Sequence, residues 1–211
     1  MEIQAALVLF VLVASITPGP NNIMMLASGL NHGVRASIPH VLGIVFGFAA
    51  LLLSVGFGFG FLFERYIWLH QVIQIVGICY LIYLSYLIAN TNTHVDIDAG
   101  ENDAEQVSSK PFTFLQAALF QWVNPKAWVM GTSAIATYST VGSDSVLQIL
   151  GIVSVFMVFT LPAILVWLIF GVALQKLLSN DDYRQWFNVC MGLLLFASVV
   201  PSIYGLVFNS I

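Results

Sequence analysis

Thr17-Pro18-Gly19-Pro20-Asn21-Asn22 interrupts an apolar run that is otherwise long enough to cross a membrane. Two prolines remove backbone donors and crowd the preceding turn, and Gly19 loosens the chain between them, so a continuous helix is not expected here. Carbonyls and amides freed at membrane depth are tolerated only inside protein or beside a water-filled cavity. A single proline would be read as a simple kink. Pro-Gly-Pro followed by two asparagines is read as a break.

The rest of the chain supports the membrane setting. It is 59% hydrophobic and 8% charged, with a mean hydropathy of +0.93, whereas soluble domains are about one-quarter charged. Six Lys and Arg in 211 residues cannot clothe a water-facing surface, so lipid must cover it. The net charge of −4 comes with no basic patch, which argues against a nucleic-acid partner. Cys79 and Cys190 lie in apolar stretches without metal-ligand spacing, so they are read as small packing residues, and neither a disulfide framework nor a metal site is expected. The N-terminus lacks the basic region and cleavage site of a secretory signal, so the first apolar run is expected to remain in the mature protein.

Residues 3–34, 36–63, 66–95, 111–143, 145–175 and 185–211 hold a single Lys, Arg, Asp or Glu between them, Lys126. Each stretch exceeds the roughly 20 residues a helix needs to cross about 30 Å of hydrocarbon. Six transmembrane helices are therefore predicted, near 5–28, 38–62, 66–89, 112–137, 146–174 and 186–208. Gly43 and Gly47, then Gly56 and Gly60, have the spacing that lets helix backbones approach closely, which places helix 2 centrally in the bundle. The connection 90–111 carries Asp96, Asp98, Glu101, Asp103 and Glu105 among polar residues and is read as a solvated linker. Arg35, Lys110, Lys176 and Arg184 fall on one side of the membrane and Arg65 on the other. The positive-inside rule makes the first side cytoplasmic and both termini periplasmic.

Gln121-Trp122-Val123-Asn124-Pro125-Lys126-Ala127 stands at the matching depth of helix 4, with Pro125 following Pro18 by 107 residues. Val76-Gly77 and Met191-Gly192 can be aligned in the same way. The chain thus reads as one membrane domain, 1–211, of two three-helix halves, 1–89 and 112–211, joined by the acidic linker 90–111. Three spans are an odd number, so the second half enters from the opposite side, an inverted repeat common among transporters. Broken helices at corresponding positions point to a midplane site where half-helix N-termini can hold a carboxylate.

Lys126 is the only charged side chain at that depth, and a charge there is costly unless solvated, paired or functional. It is a candidate to bind a substrate carboxylate or to exchange a proton; the alternative is an ammonium that only caps freed carbonyls. Asn21, Asn22, Gln121, Asn124 and Thr17 flank the breaks and offer groups suited to a zwitterion. Thr132, Ser133 and Thr137 are expected to bond their own helix. His32 and His40 read as interfacial, Tyr80 and Tyr83 as possible wall residues, and Tyr66, Trp68 and Trp186 as an aromatic belt. The spans contain no Asp or Glu, which argues against a divalent-cation carrier.

Thr17-Pro-Gly-Pro-Asn-Asn22, Asn31-His-Gly-Val-Arg35, Gly43 with Gly47-Phe48, Gly77-Ile-Cys-Tyr80 and Phe120-Gln-Trp-Val-Asn-Pro-Lys126 together resemble the LysE/RhtB family of bacterial amino-acid exporters. The resemblance covers nearly the whole chain. It implies an inner-membrane exporter driven by the proton motive force, by proton antiport and without cofactor or ATP. Neutral solutes of the cysteine/O-acetylserine, homoserine/threonine or leucine class are implied, with the first looking nearest. A basic cargo is less attractive, because the site holds a lysine and no acid. A homodimer suits so small a bundle. Two rivals from other classes are a membrane thiol-disulfide electron carrier, which would need Cys79 and Cys190, and a non-transporting scaffold, which would not need Lys126.

Overall fold

The computed structural model describes residues 2–59, 65–91, 111–140, 144–178 and 180–208. The charged run of the linker lies outside them. Among the described residues the chain is helical and has no strand. The helices are α1 (Glu2–Ile16), α2 (Pro20–Ser54), α3 (Ile67–Ala89), α4 (Phe114–Val123), α5 (Pro125–Tyr138), α6 (Ser145–Leu177) and α7 (Asp181–Phe208), with a π-helical turn, Val55–Phe59, after α2.

Helices 20–58, 71–89, 145–175 and 182–204 are each long and apolar enough to cross a membrane. α1 and α4 are apolar but too short to cross alone. Large apolar side chains such as Leu9, Phe46, Val72, Leu147, Val158 and Phe170 stand exposed around the bundle, as expected of a surface solvated by lipid tails. Tyr66, Trp68 and Trp186 are exposed near helix ends, where an amphipathic ring suits the membrane interface.

α2 bends sharply in the middle. Gly33 has φ 74° and ψ −178°, a region open essentially to glycine alone. Residues nine apart on a straight helix are separated by about 13.5 Å, yet the Ser28 and Ser37 hydroxyls lie 2.7 Å apart. The arms before and after Gly33 therefore fold toward one another. The Ser37 hydroxyl also donates to the Gly33 carbonyl four residues back.

α2 is the organising element, packing chiefly on α6 and α4; α1 packs on α6, and α3 on α7. The crossing with α4 is close because Gly43 and Gly47 present no side chain. A Cβ on either would run into the backbone of Phe114 or Ala118. Thr113 starts α4 with a reciprocal cap, accepting from the Gln116 amide at 3.3 Å while its own amide donates to the Gln116 side chain at 3.0 Å. Cys79 and Cys190 are exposed on α3 and α7 rather than packed inside. Ile67–Ala89 is apolar all round, so residue type alone could not tell the lipid face of α3 from its buried face.

A Cβ on Gly33 would meet nothing within 4 Å, so Gly33→Ala isolates the backbone cost. It should lose about 1–3 kcal/mol and lower the melting temperature of the detergent-solubilised protein. Gly151→Ala is the control: its Cβ is equally unhindered but sits on the regular helix α6. That variant should melt no lower than the parent.

Candidate functional site

Two chain interruptions meet in the bundle. α1 ends at Ile16 and α2 begins at Pro20; α4 ends at Val123 and α5 begins at Pro125. Each new helix starts with proline, whose missing N–H falls where no helical bond is made. Gly19, in extended conformation, offers α2 no capping side chain, whereas the Asn124 side chain caps α5 by accepting from the Lys126 amide at 3.1 Å.

The carbonyls released at the end of α1 are each given a donor. The Thr17 hydroxyl donates to the Ala14 carbonyl. Asn22 Nδ2 donates to the Ser15 carbonyl at 2.9 Å and to the Thr17 carbonyl at 2.7 Å. The indole of Trp167, from α6, reaches the Ile16 carbonyl at 3.2 Å. At the other interruption the Trp128 indole donates to the Trp122 carbonyl at 2.7 Å. An indole thus serves a terminal carbonyl at both places.

Lys126 joins the two. Its half-buried side chain sends Nζ to the Thr17 carbonyl at 2.7 Å and the Thr17 hydroxyl oxygen at 3.0 Å. The chain crosses the face of Gly19, where a Cβ would stand 2.7 Å from Lys126 Cδ. An ammonium has three protons, so one remains for a ligand. Asn21 and Gln121 form a reciprocal amide pair at 2.9 and 3.1 Å, and Gln121 also donates to the Ala117 carbonyl.

These groups line a cavity with about 390 Å³ of empty space, its open mouth included. Of the residues expected from sequence, Gly19, Asn21, Asn22, Gln121, Asn124 and Lys126 line it. Thr17 reaches the site through its bonds to Lys126, while Pro18, Pro20 and Pro125 shape the chain without lining the cavity. Tyr80 and Tyr83 do not line it: Tyr80 packs against Phe120 and Tyr83 is exposed. The Thr132 hydroxyl bonds its own helix. Ser15 and Thr160 were not anticipated. They line the cavity and share a buried hydrogen bond of 3.1 Å. Thr160 stands two residues before Pro162 in an apolar helix, a polar residue beside a proline, which was a usable signal.

A multi-pass helical bundle with a lipid-suited exterior and a cavity bordered by amides and an ammonium at interrupted helices defines a membrane transport protein. Residues 12–200 match the LysE type translocator family, and the chain belongs to that family. It is a transporter, not an enzyme. It is similar to the cysteine/O-acetylserine efflux protein of Escherichia coli (strain K12), with 26% identity over 196 residues, 92% of this chain and 94% of the relative. The protein of the same name from Shigella flexneri serotype 5b (strain 8401) matches equally, at 26% over the same shares of both chains. No solved structure matches the chain.

The two asparagines of α2 should separate in a stability measurement. Asn22→Leu strips the donor from the buried Ser15 carbonyl and should cost about 1–3 kcal/mol. Asn21→Leu leaves Gln121 bonded to Ala117 and should cost less, within about 1 kcal/mol. Unfolding in detergent checks this; equal losses would mean that water already serves the Ser15 carbonyl.

Proposed function

We propose that the chain exports small neutral amino acids or their derivatives across the bacterial inner membrane, by alternating access coupled to proton antiport. The carrying observation is that Lys126, the Asn21–Gln121 amide pair and the uncapped N-terminus of α2 border one cavity in a chain of a translocator family.

In this reading the substrate carboxylate takes the remaining Lys126 proton and the first amides of α2, whose positive dipole end favours an anion. The substrate ammonium turns to the oxygens of Asn21 and Gln121. Asn22, Asn124 and Thr17 hold the interrupted backbone and border the same space. Lys126 is the titratable side chain lining the cavity, and so the group that exchanges a proton when substrate comes and goes. No Asp or Glu lies between Glu2 and Glu64 or between Glu105 and Asp144, so nothing on these elements pairs a cationic cargo. The efflux proteins to which the chain is similar bear the name cysteine/O-acetylserine, which makes that class the first to test.

Six spans follow if α1 and the first arm of α2 form span 1, the second arm span 2, α3 span 3, α4 with α5 span 4, and α6 and α7 spans 5 and 6. The halves 1–89 and 112–211 are then inverted repeats whose interruptions, at Thr17–Gly19 and Asn124, occupy corresponding positions. The indole at each interruption and the proline opening each new helix support that pairing. Arg35 and Arg184 mark the cytoplasmic side, both termini are periplasmic, and rocking of one half on the other opens the cavity alternately. A homodimer is the assembly we infer.

Extracellular amino acids of cells expressing the chain, profiled against cells with equal amounts of Lys126→Ala, test the reading. We expect selective accumulation of cysteine, O-acetylserine or another neutral amino acid, falling to background in the variant while membrane insertion is kept. Equal accumulation in both strains would remove Lys126 from binding and from coupling alike.

A further inference from the structure

Hydroxyls inside a helix commonly return their proton to the carbonyl one turn back. Ser54, Ser85, Thr132 and Ser154 do so here. Ser15 and Thr160 do not. Their hydroxyl oxygens lie 3.1 Å apart, and among the described residues each is the other's partner. Two hydroxyls carry two protons, and the bond between them uses one. Whichever of the two donates, the other keeps a proton with no acceptor among the described residues. Ser15 and Thr160 are 6% and 7% exposed, and both line the Lys126 cavity. A buried donor left without an acceptor is costly, and a ligand atom in the cavity can supply one.

Position on the chain ties this pair to the rest of the site. Ser15 lies in the last turn of α1, two residues before Thr17, whose oxygens hold Lys126 Nζ. Asn22 Nδ2 bonds the Ser15 and Thr17 carbonyls alike, which holds the end of α1 against the start of α2. Thr160 belongs to α6, the helix that also sends Trp167 to the Ile16 carbonyl. Ala14, Ile44, Phe48, Met130 and Ile164 give the cavity its apolar wall. In the export reading, Lys126 and the amides take the carboxylate and ammonium that all amino acids share. The side chain is what remains to meet the apolar wall and the hydroxyl pair.

We propose that the Ser15–Thr160 pair reads the side chain of the solute and selects those carrying a hydroxyl or ester oxygen, as serine, homoserine and O-acetylserine do, over methyl counterparts of the same size. The proposal rests on the export reading. The unspent hydroxyl proton is donated to that oxygen, while the carbons of the side chain lie on the apolar wall. An aliphatic solute fills the same space and leaves the donor unpaired. A site built to bond a hydroxyl rejects the analogue lacking it far more strongly than an apolar pocket rejects an added hydroxyl.

Counterflow of labelled L-homoserine and of L-norvaline through the full chain in proteoliposomes tests it. The two solutes differ by a hydroxyl for a methyl, and counterflow needs no imposed gradient, so coupling does not enter. The wild type should carry homoserine at least fivefold faster than norvaline at equal, subsaturating concentration. Ser15→Ala with Thr160→Val replaces both partners by apolar groups of similar shape and orphans neither; the ratio should fall to within twofold of one. Thr160→Ser keeps the hydroxyl and should keep the preference. If the double variant is not recovered from membranes, Ser15→Ala and Thr160→Val decide singly: the hydroxyl that remains can turn back on its own helix, as Thr132 does, and the ratio should fall in each. A preference that survives these substitutions would mean that the pair only locks α1 to α6 or holds water, and would overturn the proposal. A wild type that carries both solutes equally, with both rates lost in Lys126→Ala, overturns it while the export reading stands. A wild type that carries neither overturns it as well, and Lys126-dependent accumulation outside cells then judges export alone.

Discussion

Everything in this bundle follows from the demand that backbone carbonyls interrupted at membrane depth find donors. In water the four carbonyls at a helix end are solvated for nothing; in hydrocarbon each would cost several kcal/mol. Here Ala14, Ser15, Ile16 and Thr17 draw donors from Thr17, Asn22, Trp167 and Lys126. Those donors come from three separate parts of the chain. The interruption therefore dictates that α2, α5 and α6 converge on the end of α1, and the cavity is what their convergence encloses.

The same demand explains why Lys126 is tolerated. An ammonium at this depth needs partners, and the Thr17 carbonyl and hydroxyl are the ones it finds. They are neutral. Pairing with a carboxylate would quench the charge, whereas two neutral oxygens stabilise it and leave one proton and most of the field unspent. Gly19 contributes by what it lacks, since the lysine stem passes where any Cβ would stand. Structural capping and readiness for an anionic group are thus two consequences of one geometry.

Residues that are chemically out of place were legible in the sequence. Prolines, paired amides and a lone lysine in apolar runs carry a penalty that must be answered by structure, and Asn21, Asn22, Gln121, Asn124 and Lys126 do border one cavity. Relations between distant residues of ordinary character were not. Ser15 and Thr160 are unremarkable until the fold brings them together across 145 positions. The bend at Gly33 was read as a loop between spans ending at 28 and beginning at 38, yet both arms run helically up to it. Polar residues such as Ser28, Ser37 and Asn31 bond within and between helices there, so they did not mark a solvent-exposed turn. His40 was placed at the interface and is buried. Tyr80 and Cys79 failed for another reason: a helix apolar on all sides has no periodicity from which to choose a face.

The spacing along α2 bears on how the transporter can work. Polar groups that face one another in a bilayer favour a continuous wet path, and a continuous path would leak small solutes and ions across the membrane. Met25, Val41 and Ala117 interpose apolar contact between Asn22 and Ser28, between Phe48 and His40, and between Gln121 and Phe112. Gly33, with a conformation closed to other residues, is where the two arms of α2 share a joint.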